Sequence, residues 1–283
     1  MDLCDRKDIQ SLLARHGFHF AKSLGQNFLI RGDVAEAIAD AGCIPGCGVL
    51  EVGPGIGALT VQLAQRAEKV VSVELDKRLP PVLAETMADC DRFTLIEGDV
   101  MKLSLAEVAA EQFQGLEPVL CANLPYNITT PFLTECVRAG CFRQLTVLIQ
   151  KEVAQRICAR PGTGEYGAFT VLMQYYTEPE LLFEVPNTCF MPPPKVTSAV
   201  VRCVTRRERP VQVVSEESFW RTVRAGFALR RKTLVNSLQT GWQLPKERIA
   251  GIVESCGLPP TVRGEALGLE EYARLADALA AAE

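Results

Sequence analysis

An apolar run, Val119-Leu120-Cys121-Ala122, stops at the carboxamide of Asn123 and is followed by Leu124, Pro125 and the ring of Tyr126. The Asn side chain brings an acceptor and two donors, and the Tyr ring brings a flat π-face with a polar tip. A site for a planar, amine-bearing heterocycle needs those groups. A second constellation lies upstream, in Glu51-Val52-Gly53-Pro54-Gly55-Ile56-Gly57-Ala58. Glycines let a backbone turn tightly and come close to a ligand with no Cβ in the way. Glu74 follows 21 positions after Gly53, where a carboxylate can accept from both hydroxyls of a ribose. Asp99 is placed either to accept from the exocyclic amine of an adenine or to cap a helix. The glycine loop with Glu74 points to an adenosine-containing cofactor. It does not separate a nicotinamide dinucleotide from S-adenosylmethionine, because Gly53-x-Gly55-x-x-Ala58 also fits the dinucleotide fingerprint. Asn123–Tyr126, which no hydride transfer requires, tips the reading toward the methyl donor.

These residues need elements to hold them. Short apolar runs at 49–52, 70–75, 93–96, 119–122 and 145–149 read as buried parallel strands, separated by helical stretches at 58–67 and from about 79. That alternation predicts an α/β, Rossmann-like, doubly wound sheet, with ligands beyond the carboxyl ends of its strands. Upstream, helices are expected over 9–16 and 33–42, with an irregular segment, Ala21–Ile30, that either lies over a cofactor pocket or plugs the core edge. Downstream, helices at 152–159 and 168–176 precede runs at 181–185 and 196–204, predicted to form an antiparallel pair. Past Pro210 the spacing is helical throughout, so the chain divides into residues 1–207, a cofactor-binding domain, and 208–283, a small all-helical domain.

The net charge of −4 is unevenly spread. Residues 31–120 carry 15 acidic and 7 basic side chains, whereas 200–232 carry 9 basic and 3 acidic ones. A basic segment on an acidic chain suits local contact with a phosphate backbone. The 11 scattered cysteines fit reduced thiols better than a disulfide framework. Cys43 and Cys47 have Leu50 where an iron–sulfur triad needs a third cysteine, and the two histidines, His16 and His19, have no ligand cluster around them, so no metal is expected. No apolar run reaches the roughly 20 residues that span a bilayer. The charged first ten residues argue against a signal peptide, so a cytoplasmic protein is expected.

Asn123-Leu124-Pro125-Tyr126 resembles the motif of N6-adenine methyltransferases. With Lys22–Leu29 (KSLGQNFL), Glu51–Gly57 and Phe190–Val196 (FMPPPKV), the chain resembles the ribosomal RNA adenine dimethyltransferases over nearly its whole length. Phe227–Leu238 (FALRRKTLVNSL) and Leu269–Leu279 (LEEYARLADAL) favour the bacterial KsgA type, acting on small-subunit RNA, over the antibiotic-resistance relatives. Thr197 departs from the family motif, which usually has Asp there. The resemblance implies S-adenosylmethionine as cofactor, held by Asn27, Leu29, Gly53, Gly55, Glu74, Asp99 and Asn123, with the leader lying over it. It implies N6,N6-dimethylation of two adjacent adenosines in the 3′-terminal hairpin loop of 16S RNA within the immature 30S subunit, by a monomer with a part in subunit maturation. Asn123 and the Leu124 carbonyl would hold the target amine, and Tyr126 and Phe190 would sandwich the flipped base, unless Phe190 packs in the core. Lys195, Arg221, Arg224, Arg230, Arg231 and Lys232 would follow RNA phosphates. The rival readings are an NAD-dependent oxidoreductase and a non-catalytic ribosome assembly factor that retains the fold.

Overall fold

Strands that are apolar on both faces are stable only where helices cover both sides of the sheet. The computed structural model, which describes residues 1–20 and 25–283, meets that requirement with a seven-stranded sheet. Its strands are β2 (Cys47–Val52), β3 (Lys69–Glu74), β4 (Phe93–Glu97), β5 (Glu117–Asn123), β6 (Gln144–Gln150), β7 (Thr177–Val185) and β9 (Ser198–Thr205), in the order β4-β3-β2-β5-β6-β9-β7. The first five are parallel, and every residue of β2 is buried. β3 and β5 flank β2 on opposite sides, so the order reverses there, and the loops after β2 and β5 face each other across the resulting crevice.

The runs at 181–185 and 196–204 are neighbours, as expected, but β9 also pairs antiparallel with β6, Gln150 opposite Ser198. β9 is therefore an interior strand, and its β-branched, buried Val200 and Val201 suit that place. A two-residue ribbon was not anticipated: β1 (Phe28–Leu29) pairs antiparallel with β8 (Phe190–Met191), with Leu29 opposite Phe190.

The helices that follow the strands are α3 (Ala58–Ala64), α4 (Pro80–Thr86), α5 (Leu105–Gln112), α6 (Thr129–Ala139) and α7 (Lys151–Ile157), with α1 (Arg6–Arg15) and α2 (Gly32–Gly42) ahead of the sheet. One apolar cluster joins Ile38 of α2 and Leu63 of α3 to Val49, Val70 and Val119. A second joins Ile9, Leu12 and Leu13 of α1 to Phe18, Phe28, Ile56 and Leu83.

The chain forms two compact units, one of residues 1–154 and 178–205, the other of 155–177 and 206–283. The division expected at 207/208 is thus amended, because 155–177 belongs with the helical unit. Val171 and Tyr175 of α8 (Ala168–Tyr176) bury against Phe219 and Val223 of α9 (Glu216–Ala228), and Tyr175 stacks on Phe219 at 5.0 Å. Arg206 then ties the two pieces of this unit together, its Nε donating to Gln174 O and Thr177 O. α10 (Leu234–Leu238), α11 (Lys246–Ser255) and α12 (Leu269–Ala280) complete it. Among the described residues no helix is long and apolar enough to cross a membrane.

Candidate active site

The crevice opens into a cavity whose empty space, open mouth included, is ≈ 1060 Å³. Its wall brings together Asn27, Leu29, Gly53, Glu74, Asp99, Asn123, Leu124 and Tyr126, which are far apart in the sequence. Of the leader, Gly25–Leu29 contributes to this wall, while Ala21–Leu24 lies outside the described residues.

The glycine loop shows why glycine is needed. Gly53, Gly55 and Gly57 have φ of 68°, 61° and 94°, a region L side chains rarely enter. A Cβ on Gly55 would stand 2.9 Å from Phe28 Cδ1, so the loop and the leader meet only because that atom is missing. Behind the loop, Glu51 is fully buried and accepts from Thr60 Oγ1 (2.8 Å) and Ser72 Oγ (2.6 Å) through one oxygen. Burial outweighs those hydrogen bonds and pushes its pKa up to about 7.

Glu74 ends β3, 7% exposed, with Oε1 accepting from the Asp76 amide at 2.8 Å. Its pKa is likewise pushed up to about 7, chiefly by burial, with the nearby Asp76 carboxylate adding to the rise. Asp99 combines the two roles left open for it. It lines the cavity, and its Oδ1 also caps a short 3₁₀ turn by accepting from Met101 N at 3.0 Å.

Asn123, the last residue of β5, lines the cavity. Its Nδ2 donates to Asn27 O at 3.2 Å, which turns Oδ1 the other way. The Leu124 amide is committed to Leu148 O at 3.1 Å, while its carbonyl receives no hydrogen bond from the described residues. The Tyr126 hydroxyl is 2.7 Å from Ser198 Oγ, which fixes the ring.

Phe190 is not part of this wall. The β1–β8 ribbon sets it opposite Leu29, and it is fully buried in the cluster that also holds Val185, Cys189 and Val200. In this geometry the base sandwich expected from the sequence loses that face, and the core reading of Phe190 prevails.

Among the basic residues, Arg221 is also corrected. Its guanidinium forks onto the Glu283 carboxylate at 2.7 and 2.8 Å, donates to Gly241 O and lies 4.1 Å from the Trp242 ring centroid. It is a brace of the helical unit. Arg230 donates to Gly164 O and reaches Glu265 at 3.7 Å. Lys195, Arg224, Arg231 and Lys232 are exposed. Sequence reasoning passed over Asp76, Arg78 and Ser198. The first two were legible as charges just past Glu74, but Ser198 carried no signal.

A doubly wound sheet with a glycine loop after its first parallel strand, an acid ending the second, and an Asn-Leu-Pro-Tyr turn after the fourth defines a nucleoside-cofactor transferase of the methyltransferase class. Residues 17–277 match the model of the family described as ribosomal RNA adenine dimethylase, and the chain belongs to that family. It is 48% identical over 278 residues to ribosomal RNA small subunit methyltransferase A of Geobacillus thermodenitrificans, covering 95% of this chain and 94% of that one. With the protein of the same name from Bacillus cytotoxicus it shares 45% over 284 residues, 98% and 97% of the two chains. Among solved structures, the 23S rRNA methyltransferase ErmE matches with a TM-score of 0.67 and 27% identity over 90% of this chain and all of its own. A dimethyladenosine transferase from Plasmodium falciparum shares the fold, with a TM-score of 0.72 at 22% identity, over 88% and 95% of the two chains.

Proposed function

We propose that this chain dimethylates N6 of two adjacent adenosines in the 3′-terminal hairpin loop of small-subunit (16S) ribosomal RNA, acting in the cytoplasm as a monomer on immature 30S subunits. The observation that carries the reading is Asn123. Its amide nitrogen is held by Asn27 O, and its oxygen and the Leu124 carbonyl remain as acceptors between a nucleoside cradle and a fixed aromatic ring.

The residues present fit S-adenosylmethionine. Gly53 lines the cavity with a left-handed φ of 68° and no Cβ on its wall, Gly55 packs beside it under Phe28, Asp99 offers an acceptor for an adenine amine, and Glu74 is a buried carboxyl on the same wall, suited to ribose hydroxyls. When bound, that cofactor supplies a methyl group already activated on a sulfonium. The remaining work is orientation. Asn123 Oδ1 and Leu124 O accept the two hydrogens of the adenine amine, which draws its lone pair out of conjugation and aims it in line. The same acceptors favour the positive charge that develops on nitrogen. Tyr126 offers its face to the base, a stack worth about 1–3 kcal/mol. Lys195, Arg224, Arg230, Arg231 and Lys232 supply phosphate contacts.

The test is methyl transfer from labelled cofactor to immature small subunits, with the modified base identified. N6,N6-dimethyladenosine at two adjacent positions is the expected product. Cofactor binding without transfer would favour an assembly factor, and reduction of a bound dinucleotide would favour the oxidoreductase.

A further inference from the structure

Just past Glu74, Asp76 and Arg78 form a clasp that the proposed mechanism does not use. Asp76 is 6% exposed, yet four donors converge on its carboxylate. Oδ1 accepts from Arg78 Nε (2.8 Å) and from the Arg78 amide (3.1 Å). Oδ2 accepts from Arg78 Nη2 (2.6 Å) and Gln26 Nε2 (2.7 Å). The third guanidinium nitrogen, Nη1, donates to His19 O at 2.9 Å, and the guanidinium lies 4.9 Å from the centroid of the Phe18 ring. One carboxylate just past the end of β3 therefore grips the N-terminal segment at two points, directly at Gln26 of the leader and through Arg78 at His19 just ahead of it. Forked Arg–carboxylate pairs of this kind combine strength with a fixed direction.

Both ends of the clasp lead into the cavity. On one side the Asp76 amide donates to Glu74 Oε1 at 2.8 Å. On the other, Gln26 is followed at once by Asn27, whose carbonyl holds the Asn123 amide, and by Phe28, which fills the space above Gly55. A structural role alone would explain an arginine paired with a buried carboxylate. It would not explain why the side chains of this pair, among the described residues, hydrogen-bond outside their own turn only to His19 and Gln26, on either side of the start of the leader.

We infer that Asp76 and Arg78 are positioning residues for methyl transfer, holding Gln26–Leu29 over the cofactor and Glu74 in register for its ribose. The inference rests on the reading of the cavity as an S-adenosylmethionine site. Arg78→Gln and Asp76→Asn, made in the full chain, test it through the cofactor dissociation constant, the KM values for cofactor and RNA, kcat and Tm. Loss of a charge-assisted pair should raise the cofactor dissociation constant and KM by about tenfold or more, with the RNA KM unchanged. The double variant should be no worse than Asp76→Asn, because the two act as a unit. Arg78, whose side chain is 46% exposed, carries the test if Asp76→Asn lowers Tm. Unaltered cofactor affinity in Arg78→Gln overturns the inference, as does a fall in kcat with cofactor KM unchanged. Wild-type chain that fails to bind S-adenosylmethionine would remove the functional reading and the inference with it; wild-type binding with an unaffected Arg78→Gln removes the clasp alone.

Discussion

A buried carboxyl with no cation beside it holds its proton longer than an exposed one, and this protein has two of them at its cavity. Glu74 and Glu51 both have pKa values pushed up to about 7 from the ordinary 4.5. In the ligand-free protein the sign is that of a raised folded-state pKa. The stabilising contribution is complete below about 4.5 and is lost as pH rises through about 7. Tm of the ligand-free chain should therefore fall across that window, and Glu51→Gln should flatten the profile. Ribose hydroxyls favour the ionised form of Glu74, so cofactor affinity should move oppositely, rising with pH through about 7. Titration calorimetry of Glu74→Gln should find weaker binding with that pH dependence gone. Asn123→Ala should act on the other half of the site, cutting single-turnover methyl transfer roughly 10²-fold or more. Near-normal transfer in that variant would refute the assigned role of the amide oxygen.

At the scale of elements, two glycines mark where backbone meets side chain. Gly55→Ala would combine a φ of 61° with a Cβ 2.9 Å from Phe28, costing about 1–3 kcal/mol and displacing either the loop or the leader. Thermal melts and cofactor titration should both register it. In the helical unit, a Cβ on Gly226 would stand 2.6 Å from the Tyr272 hydroxyl, which donates to Gly264 O at 2.9 Å. Gly226→Ala should therefore destabilise that unit by about 1–3 kcal/mol, seen as an earlier unfolding transition. The parallel strands were legible because each is an apolar run that ends at or near a polar residue, Glu74 and Asn123 closing two of them and Asp99 following a third. The β1–β8 ribbon was not legible, since two residues have no period and their partners lie far along the chain. That one blind spot misplaced Phe190. Residues 155–177 were misassigned for a related reason. Helical spacing reveals that α8 has an apolar face, but not that Phe219 and Val223 cover it. Arg221 was read by its charge, and only the fold discloses Glu283 and Trp242 around it.

For the whole molecule the useful division is by charge, with an acidic cofactor-binding half and a basic stretch over 200–232. Reversing Arg231 and Lys232 to Glu should weaken RNA binding and reduce the slope of log affinity against log salt by about 0.7–0.9 for each phosphate no longer neutralised. Cofactor affinity, measured on the same preparation, should not change. The interior position of β9 has a further consequence, for the order in which the protein is made. Tyr126 is synthesised 72 positions before Ser198, the residue that anchors its hydroxyl. At roughly 5–20 residues per second, that gap lasts roughly 4–14 s. During it β6 has no antiparallel neighbour, and the Tyr126 ring, proposed to stack on the target base, lacks the anchor of its hydroxyl. A chain still on its ribosome thus carries the cofactor loops and the Asn-Leu-Pro-Tyr turn without a finished site, and only arrival of the last strand makes it competent to act on another ribosome's RNA.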